Sequence, residues 1–454
     1  MTSIFDSLRV RNYRLFASGQ VVSNTGAWVQ RVAQDWLVLQ LSHNSGVAVG
    51  ITTAMQFLPM LIFGLWGGVI ADRFPKRRLL LCTNVAMSLL ALTLGLLTVA
   101  GVVDVWHVYA IAFGLGLVTV VDNPTRQAFV SEMVGPDHLT NAVGLNSATF
   151  NIARIAGPAA AGVLINVIGT GPLFLFNAAT YLAVITGLSL MRERELHRLS
   201  RHERTKAGSG LLDGLRYVRD RPRLLLPIII VGFVGMFGLN FQITTALFAT
   251  RVFHSGAGSF GALSSAVAIG SLTGALLAAS RRTPTRRLLV GAAIVFGLLE
   301  LVAAVMPSYW AFMAMLIPIG LASLTMTTAA NSIVQLTTSA AMRGRVMAIY
   351  LLVFMGGTPI GAPLIGWIAD QLGARWSLIV GGGVSALATA IAALVVARID
   401  GTPIRRSLRA AGAAWPRYRH RRRTPAPTPA KAVPSAQRRP TGRPVERQVA
   451  ERTH

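Results

Sequence analysis

Gly68-Val69-Ile70-Ala71-Asp72-Arg73-Phe74-Pro75-Lys76-Arg77-Arg78 decides the fold. This short, charge-dense stretch sits between two apolar runs, each long enough to cross a bilayer. A loop of about six residues cannot reach across roughly 30 Å of hydrocarbon, so the two runs must be antiparallel neighbours. Its four cations, Arg73, Lys76, Arg77 and Arg78, then mark the loop as facing the cytoplasm.

Composition agrees. Hydrophobic residues make up 53% of the chain and charged residues 13%, with a mean hydropathy of +0.55. Soluble proteins carry about 25% charged residues, so this is a polytopic membrane protein. The formal charge of +26 is not a nucleic-acid signal, because the cations lie in alternate loops and in the C-terminal tail. The excess of Arg over Lys points to a GC-rich bacterial genome. A single cysteine, Cys82, excludes an intramolecular disulfide and a cysteine-built metal site. No metal site or cofactor is expected.

Apolar runs of helical length fall at about 15–41, 46–71, 78–100, 105–130, 140–168 and 172–191. Six more follow at about 223–250, 258–280, 287–306, 308–331, 343–370 and 374–397. Backbone amides in lipid must bond within their own segment, so the runs are helices and the expected count is twelve. Loop charge supports it. One side carries Arg73–Arg78, Arg126, ten Lys and Arg between Arg192 and Arg223, then Arg281, Arg282, Arg286, Arg287, Arg343 and Arg345. The other side carries Arg251 and Arg375. That alternation places both termini in the cytoplasm.

The expected organisation is a cytoplasmic N-terminus (1–14), a six-helix bundle (15–191), a basic linker (192–222), a second bundle (223–397) and a tail (398–454). Within the linker, Leu211–Val218 reads as a short amphipathic helix on the membrane surface. The tail is rich in Arg and Pro and too poor in apolar residues to fold. It is expected either to lie on anionic headgroups or to stay solvated. An internal repeat relates the bundles: Gly157, Gly162 and Gly169 recur as Gly361, Gly366 and Gly373, each 204 residues later. Duplicated halves put a substrate site between them near the midplane.

The spacing G-x-x-x-D-R-x-x-x-R-R at Gly68–Arg78 resembles the signature loop between the second and third helices of major facilitator superfamily transporters. Gln30-Arg31-Val32-Ala33 and Asp122-Asn123-Pro124-Thr125-Arg126-Gln127-Ala128 resemble motifs of the branch containing the enterobactin exporter, the transmembrane secretion effectors. The resemblance implies a gating role for the loop. Gly68 would let helix 2 approach a neighbour, Asp72 would face the N-terminal end of helix 11 near Gly344 and Arg345, and Arg73 would pair with Asp122. Arg77 and Arg126 belong to the same motifs, and such contacts would exist only while the cytoplasmic side is closed. Gly144, Ala153, Gly157-Pro158 and Ala161 resemble the antiporter motif of drug exporters, with alanine twice in place of glycine and Gly162 one place late; ordinary small-residue packing explains them as well.

Charges inside the bilayer need a reason, since each costs roughly 2.5–3.5 kcal/mol at a helix centre. Arg31 and Asp35 lie i, i+4 on helix 1, and Arg154 sits mid-helix 5. The family resemblance implies a cavity lined by helices 1, 4, 7 and 10. Asp35 is therefore either a proton-accepting carboxylate tuned by Arg31 and Arg154, or part of a static ion pair. Gln34, Asn240, Gln242, Thr325 and Asn331 are candidate substrate-cavity groups, and Glu300 is expected to snorkel towards the aqueous interface. The reading reached is a monomeric secondary transporter that exports a small amphipathic molecule against inward proton flow. The alternatives are a proton-coupled importer of a polar metabolite and a non-transporting sensor or scaffold. No nucleotide-binding loop or catalytic constellation occurs, so enzyme activity is not expected.

Overall fold

In the computed structural model, the described residues are 5–197, 211–279, 284–339 and 342–399, and every regular element among them is helical. Arg281, Arg282, residues 198–210 of the charged linker and the tail beyond Ile399 lie outside them. Twelve long helices succeed one another: α1 (Arg11–Leu41), α2 (Gly46–Arg73), α3 (Lys76–Val99), α4 (Val105–Gly135), α5 (Asp137–Ile168) and α6 (Gly171–Ser189). The second set is α7 (Pro222–Val252), α8 (Ala257–Ala279), α9 (Arg286–Ala304), α10 (Tyr309–Thr337), α11 (Arg343–Leu372) and α12 (Ala374–Ile399).

Among the described residues, 11 helices are long and apolar enough to cross a membrane. The remaining one is α1. It has 31 residues, but Gln20, Ser23, Asn24, Gln30, Gln34 and Asp35 dilute its apolar content. All six are buried, so they face protein rather than lipid and composition alone undervalues the helix. The expected gap between the fourth and fifth spans contracts to one residue. Gly135 takes φ +68° inside what is otherwise continuous helix, a left-handed conformation that glycine tolerates.

The same packing recurs six helices later. In the first set α1 packs on α6, α2 on α4, and α3 on α4 and α6; in the second, α7 packs on α12, α8 on α10, and α9 on α10 and α12. The repeated glycines occupy matching places. Gly169 and Gly373 end α5 and α11 with φ +78° and +102°. Gly162 and Gly366 lie where those helices cross the other half: Gly162 against Gly258 of α8, Gly366 against Gly46 of α2. A methyl group on Gly366 would stand 2.2 Å from the Gly46 carbonyl oxygen, so that crossing is closed by backbone contact.

Large apolar side chains cover the outside, among them Trp66, Trp106, Trp310 and Trp376. Three of these tryptophans sit at the starts of α4, α10 and α12, at one level, as an interfacial aromatic belt requires. The short helix Leu211–Arg219 does not lie alone on the surface. Val218 is buried, Gly214 approaches Ile349 and Arg345, and Arg345 pairs with Asp213 at 3.8 Å, so this helix docks on the start of α11.

Candidate substrate cavity and gate

A cavity of about 280 Å³ lies between the two halves. Trp28, Arg31, Val32 and Asp35 of α1 line one wall, with Arg154 and Pro158 of α5 beside them. Opposite stand Leu239, Asn240, Phe241 and Gln242, where α7 loses regular α geometry. Phe57 of α2, Phe260 of α8 and Phe354 of α11 complete an aromatic surround. The lining helices are thus α1, α2, α5, α7, α8 and α11; α4 and α10 contribute no lining residue among those described. This differs from the expected set because α2–α11 and α5–α8 are the crossings that bring the halves together.

The charges converge as expected. Asp35 is buried, one turn from Arg31, whose guanidinium lies 4.9 Å from the centroid of the Trp28 ring. Arg154 reaches across the interface to Ser271 Oγ at 3.4 Å. The site therefore offers two guanidiniums, one carboxylate and an apolar, aromatic wall. Asn240 donates to the Met236 carbonyl at 2.8 Å, leaving its buried Oδ1 without a protein partner. Three candidates fall elsewhere. Gln34 is buried inside the first half, Thr325 lines a smaller pocket between α8, α9 and α10, and Asn331 accepts from Gln335 at 2.7 Å. Helical position told which face each occupies on its own helix, not which face met the cavity.

The two ends of the halves differ. At the end away from the basic loops, Asp370 of α11 accepts from the Gly46 and Val47 amides at 2.7 and 2.9 Å and from Ser45 Oγ at 2.9 Å. It thereby caps the start of α2. Arg251 of α7 donates to Asp370 at 2.6 Å and to the Asn44 carbonyl at 2.6 Å. Asp370 is thus a junction between α2, α7 and α11. The available signal was Arg251, a cation on the side that otherwise has almost none. The second such cation, Arg375, donates to the Ala304 and Met306 carbonyls at the end of α9.

The basic end lacks such a glycine crossing among the described residues. Asp72 and Arg73 are exposed, and methyl groups added to Gly68, Gly144 or Gly344 would meet nothing within 4 Å. The neighbour of Gly68, Gly67, makes the close approach instead; its Cβ would lie 2.1 Å from the Val120 carbonyl oxygen. The expected Arg73–Asp122 pair is not formed. Asp122 is buried, accepts from Thr83 at 2.8 Å and pairs with Arg126, which also holds Gln20 at 2.9 Å. These contacts tie α4 to α3 and α1 within one half. Arg77 likewise stays inside its half, donating to the Leu188 and Ser189 carbonyls and to Glu193.

Of the packing glycines, Gly157 abuts Trp28, Gly361 meets the Met236 carbonyl, and the Pro158 carbonyl faces Gly261 of α8.

Comparison with known proteins gives the same picture. The solved structure of a bacterial homologue of the human lysosomal transporter Spinster, in an inward-facing and occupied conformation, superposes with a TM-score of 0.67 at 15% identity, covering 86% of this chain and 97% of that one. The nucleoside transporter NupG superposes with a TM-score of 0.68 at 12% identity, covering 86% and 99%. These show the fold. In sequence, the chain is 33% identical to the staphyloferrin A transporter of Staphylococcus aureus over 39% of its own length and 45% of that protein. This match spans just under half of the relative. The multidrug efflux pump Tap of Mycolicibacterium fortuitum is 27% identical over 79% of this chain and 89% of the pump. The transmembrane secretion effector family matches over residues 2–413, so this multi-pass membrane protein belongs to that branch of the major facilitator superfamily of transporters.

Proposed function

We propose that the protein exports a small amphipathic molecule from the bacterial cytoplasm in exchange for protons, by alternating access. The observation that carries the reading is the central cavity, in which Arg31, Asp35 and Arg154 meet an aromatic wall beneath a closed crossing. The aromatic groups suit the apolar body of a substrate, and the polar edge of Asn240 and Gln242 suits its polar end. Asp35 is the group on which a proton and substrate compete. The basic end is assigned to the cytoplasm from its cations, and the conformation with that end open is the one that loads cargo for export. The relative named as a multidrug efflux pump supports this direction.

Inverted membrane vesicles with an imposed pH gradient test direction and coupling together. Ethidium, a fluorescent amphipathic cation, is expected to accumulate in vesicles holding the intact chain and to leak out when the gradient is collapsed. Asp35→Asn is expected to insert normally and to lose the pH dependence of that accumulation. An unchanged pH profile in Asp35→Asn removes Asp35 from coupling; gradient-independent movement removes antiport.

A further inference from the structure

Glu300 contradicts its expected position. It lies in α9, which touches lipid on its outer face, yet its side chain is fully buried. Neither carboxyl oxygen has a hydrogen-bond partner. Glycines allow this burial. Gly381 and Gly382 of α12 lie against it, and a Cβ on Gly382 would stand 2.8 Å from Glu300 Cβ. One point locates the carboxyl group: the Cβ position of Gly381 is 3.6 Å from Glu300 Oε2 and 2.7 Å from the Phe237 carbonyl oxygen. Ser385, one turn beyond Gly381 on α12, is also fully buried with its hydroxyl unpartnered. Its oxygen lies 2.8 Å from the Cβ position of Gly238.

These groups collect around the place where α7 is irregular. Val234–Gly238 forms a π-turn, Leu239 and Asn240 leave helical geometry, and helix resumes at Phe241. Single π-turns inside α-helices recur at functional sites. This break has two sides. Leu239, Asn240 and Phe241 line the central cavity, while the Phe237 carbonyl and Gly238 turn towards Glu300 and Ser385. Phe241 also touches Phe296, one turn before Glu300, edge to face at 6.1 Å.

An ionised carboxylate without a cation or donor in such a place is far too costly, so the group holds a proton. Ionisable groups on the elements packed around it do not offer compensation. On α12, Arg375 is committed to the Ala304 and Met306 carbonyls, and Arg398 is a helix end away. On α7, Arg223 and Arg251 stand at the two ends, Arg251 bound to Asp370. On α10, Tyr309 donates to the Ser259 carbonyl. Arg286 and Arg287 are roughly 20 Å down α9 itself.

We propose that Glu300 is a second proton-binding site of the transporter, sealed and loaded in this conformation, which discharges its proton to water of the central cavity when the α7 break moves. The step is a plain dissociation: the carboxyl O–H bond breaks, the proton passes to cavity water, and the carboxylate is hydrated by the same water. The transport role rests on the proton-antiport reading above; proton binding by Glu300 does not. A purely structural glutamic acid would keep its proton in every state.

Two measurements on the full chain decide. In the first, infrared difference spectra between mildly acidic and mildly alkaline pH are recorded for the protein in lipid, with Asp35→Asn as background and Glu300→Gln compared against it. A carboxyl band that bleaches at alkaline pH and vanishes in Glu300→Gln is expected; no such band overturns the site. In the second, vesicles carrying Glu300→Gln are expected to keep ethidium–ethidium exchange, which needs no net proton movement. Their gradient-driven accumulation is expected to fall to that of vesicles without a gradient. Equal loss of both activities marks a structural role and overturns the proposal, as does wild-type accumulation with an unaltered pH profile. Absence of gradient-driven transport in the unmodified chain would instead defeat the antiport reading, leaving the infrared result to judge Glu300 alone.

Discussion

The two ends of the α2–α11 pair are built alike and differ in how closely their glycines approach the other helix. Each helix finishes with an aspartate that meets, or is aimed by sequence towards, the start of the other. Asp370 caps α2 at Gly46 and Val47, whereas Asp72, at the end of α2, is exposed near the level at which α11 begins. Antiparallel helices of similar length place the negative end of one beside the positive end of the other at both extremities. Gly366 is locked on Gly46 at one extremity, whereas a Cβ on Gly68 or Gly344 at the other meets nothing within 4 Å. On the alternating-access proposal the helix pair would supply two alternative latches, and rocking about the cavity would trade one for the other.

The firmest way to break this comparison is to prevent the closed crossing. Gly366→Val places two methyl groups where a single Cβ already falls 2.2 Å from a carbonyl oxygen. Overpacking of this kind costs about 1–3 kcal/mol, enough to shift a two-state population by roughly tenfold to a hundredfold. Spin labels at Val143 and Leu336, exposed on the two halves at the basic end, are expected to draw together. Transport is expected to be abolished. An unchanged label separation would mean that the crossing does not hold this state.

Asp370→Asn comes next. It keeps the size of the side chain and removes the charge that Arg251 and two backbone amides address. Charge-assisted hydrogen bonds are worth about 1.5–3 kcal/mol each when buried; partial exposure here puts the loss at the lower end, about tenfold in population. The label distance should shorten in the same sense as for Gly366→Val, by less. Asp72→Asn should shift the population the other way, keeping the basic end open and collapsing transport while membrane insertion survives. If both variants move the labels in one direction, the two latches are not alternatives.

Much of this was legible from residues alone. The apolar runs gave the helices, the small residues of α5 and α11 marked the crossings, and Arg31, Asp35 and Arg154 line one cavity. What escaped depended on packing between distant segments. Asp122 was assigned to Arg73 by depth, but its neighbour one turn on, Arg126, reaches it first. Glu300 read as a snorkelling group because nothing in α9 reveals that Gly381 and Gly382 of α12 make room for it. Arg251 and Arg375 broke the charge rule in plain sight; only their partners explain why.

The smallest effect, and the sharpest for the comparison, belongs to Gly68→Leu. A Cβ at this position meets nothing within 4 Å, so the variant should fold and insert as the unmodified chain does. Gly67, by contrast, is needed in every state, because its neighbour is the Val120 backbone of the same half. A leucine at position 68 should therefore be silent in stability, worth less than about 0.5 kcal/mol, and felt only when α2 and α11 close at the basic end. Label distances should match those of the unmodified chain without a gradient and fail to shorten when one is applied. Wild-type closure in Gly68→Leu would show that this glycine never meets the other half, and that the latch at Asp72 closes over a gap rather than a contact.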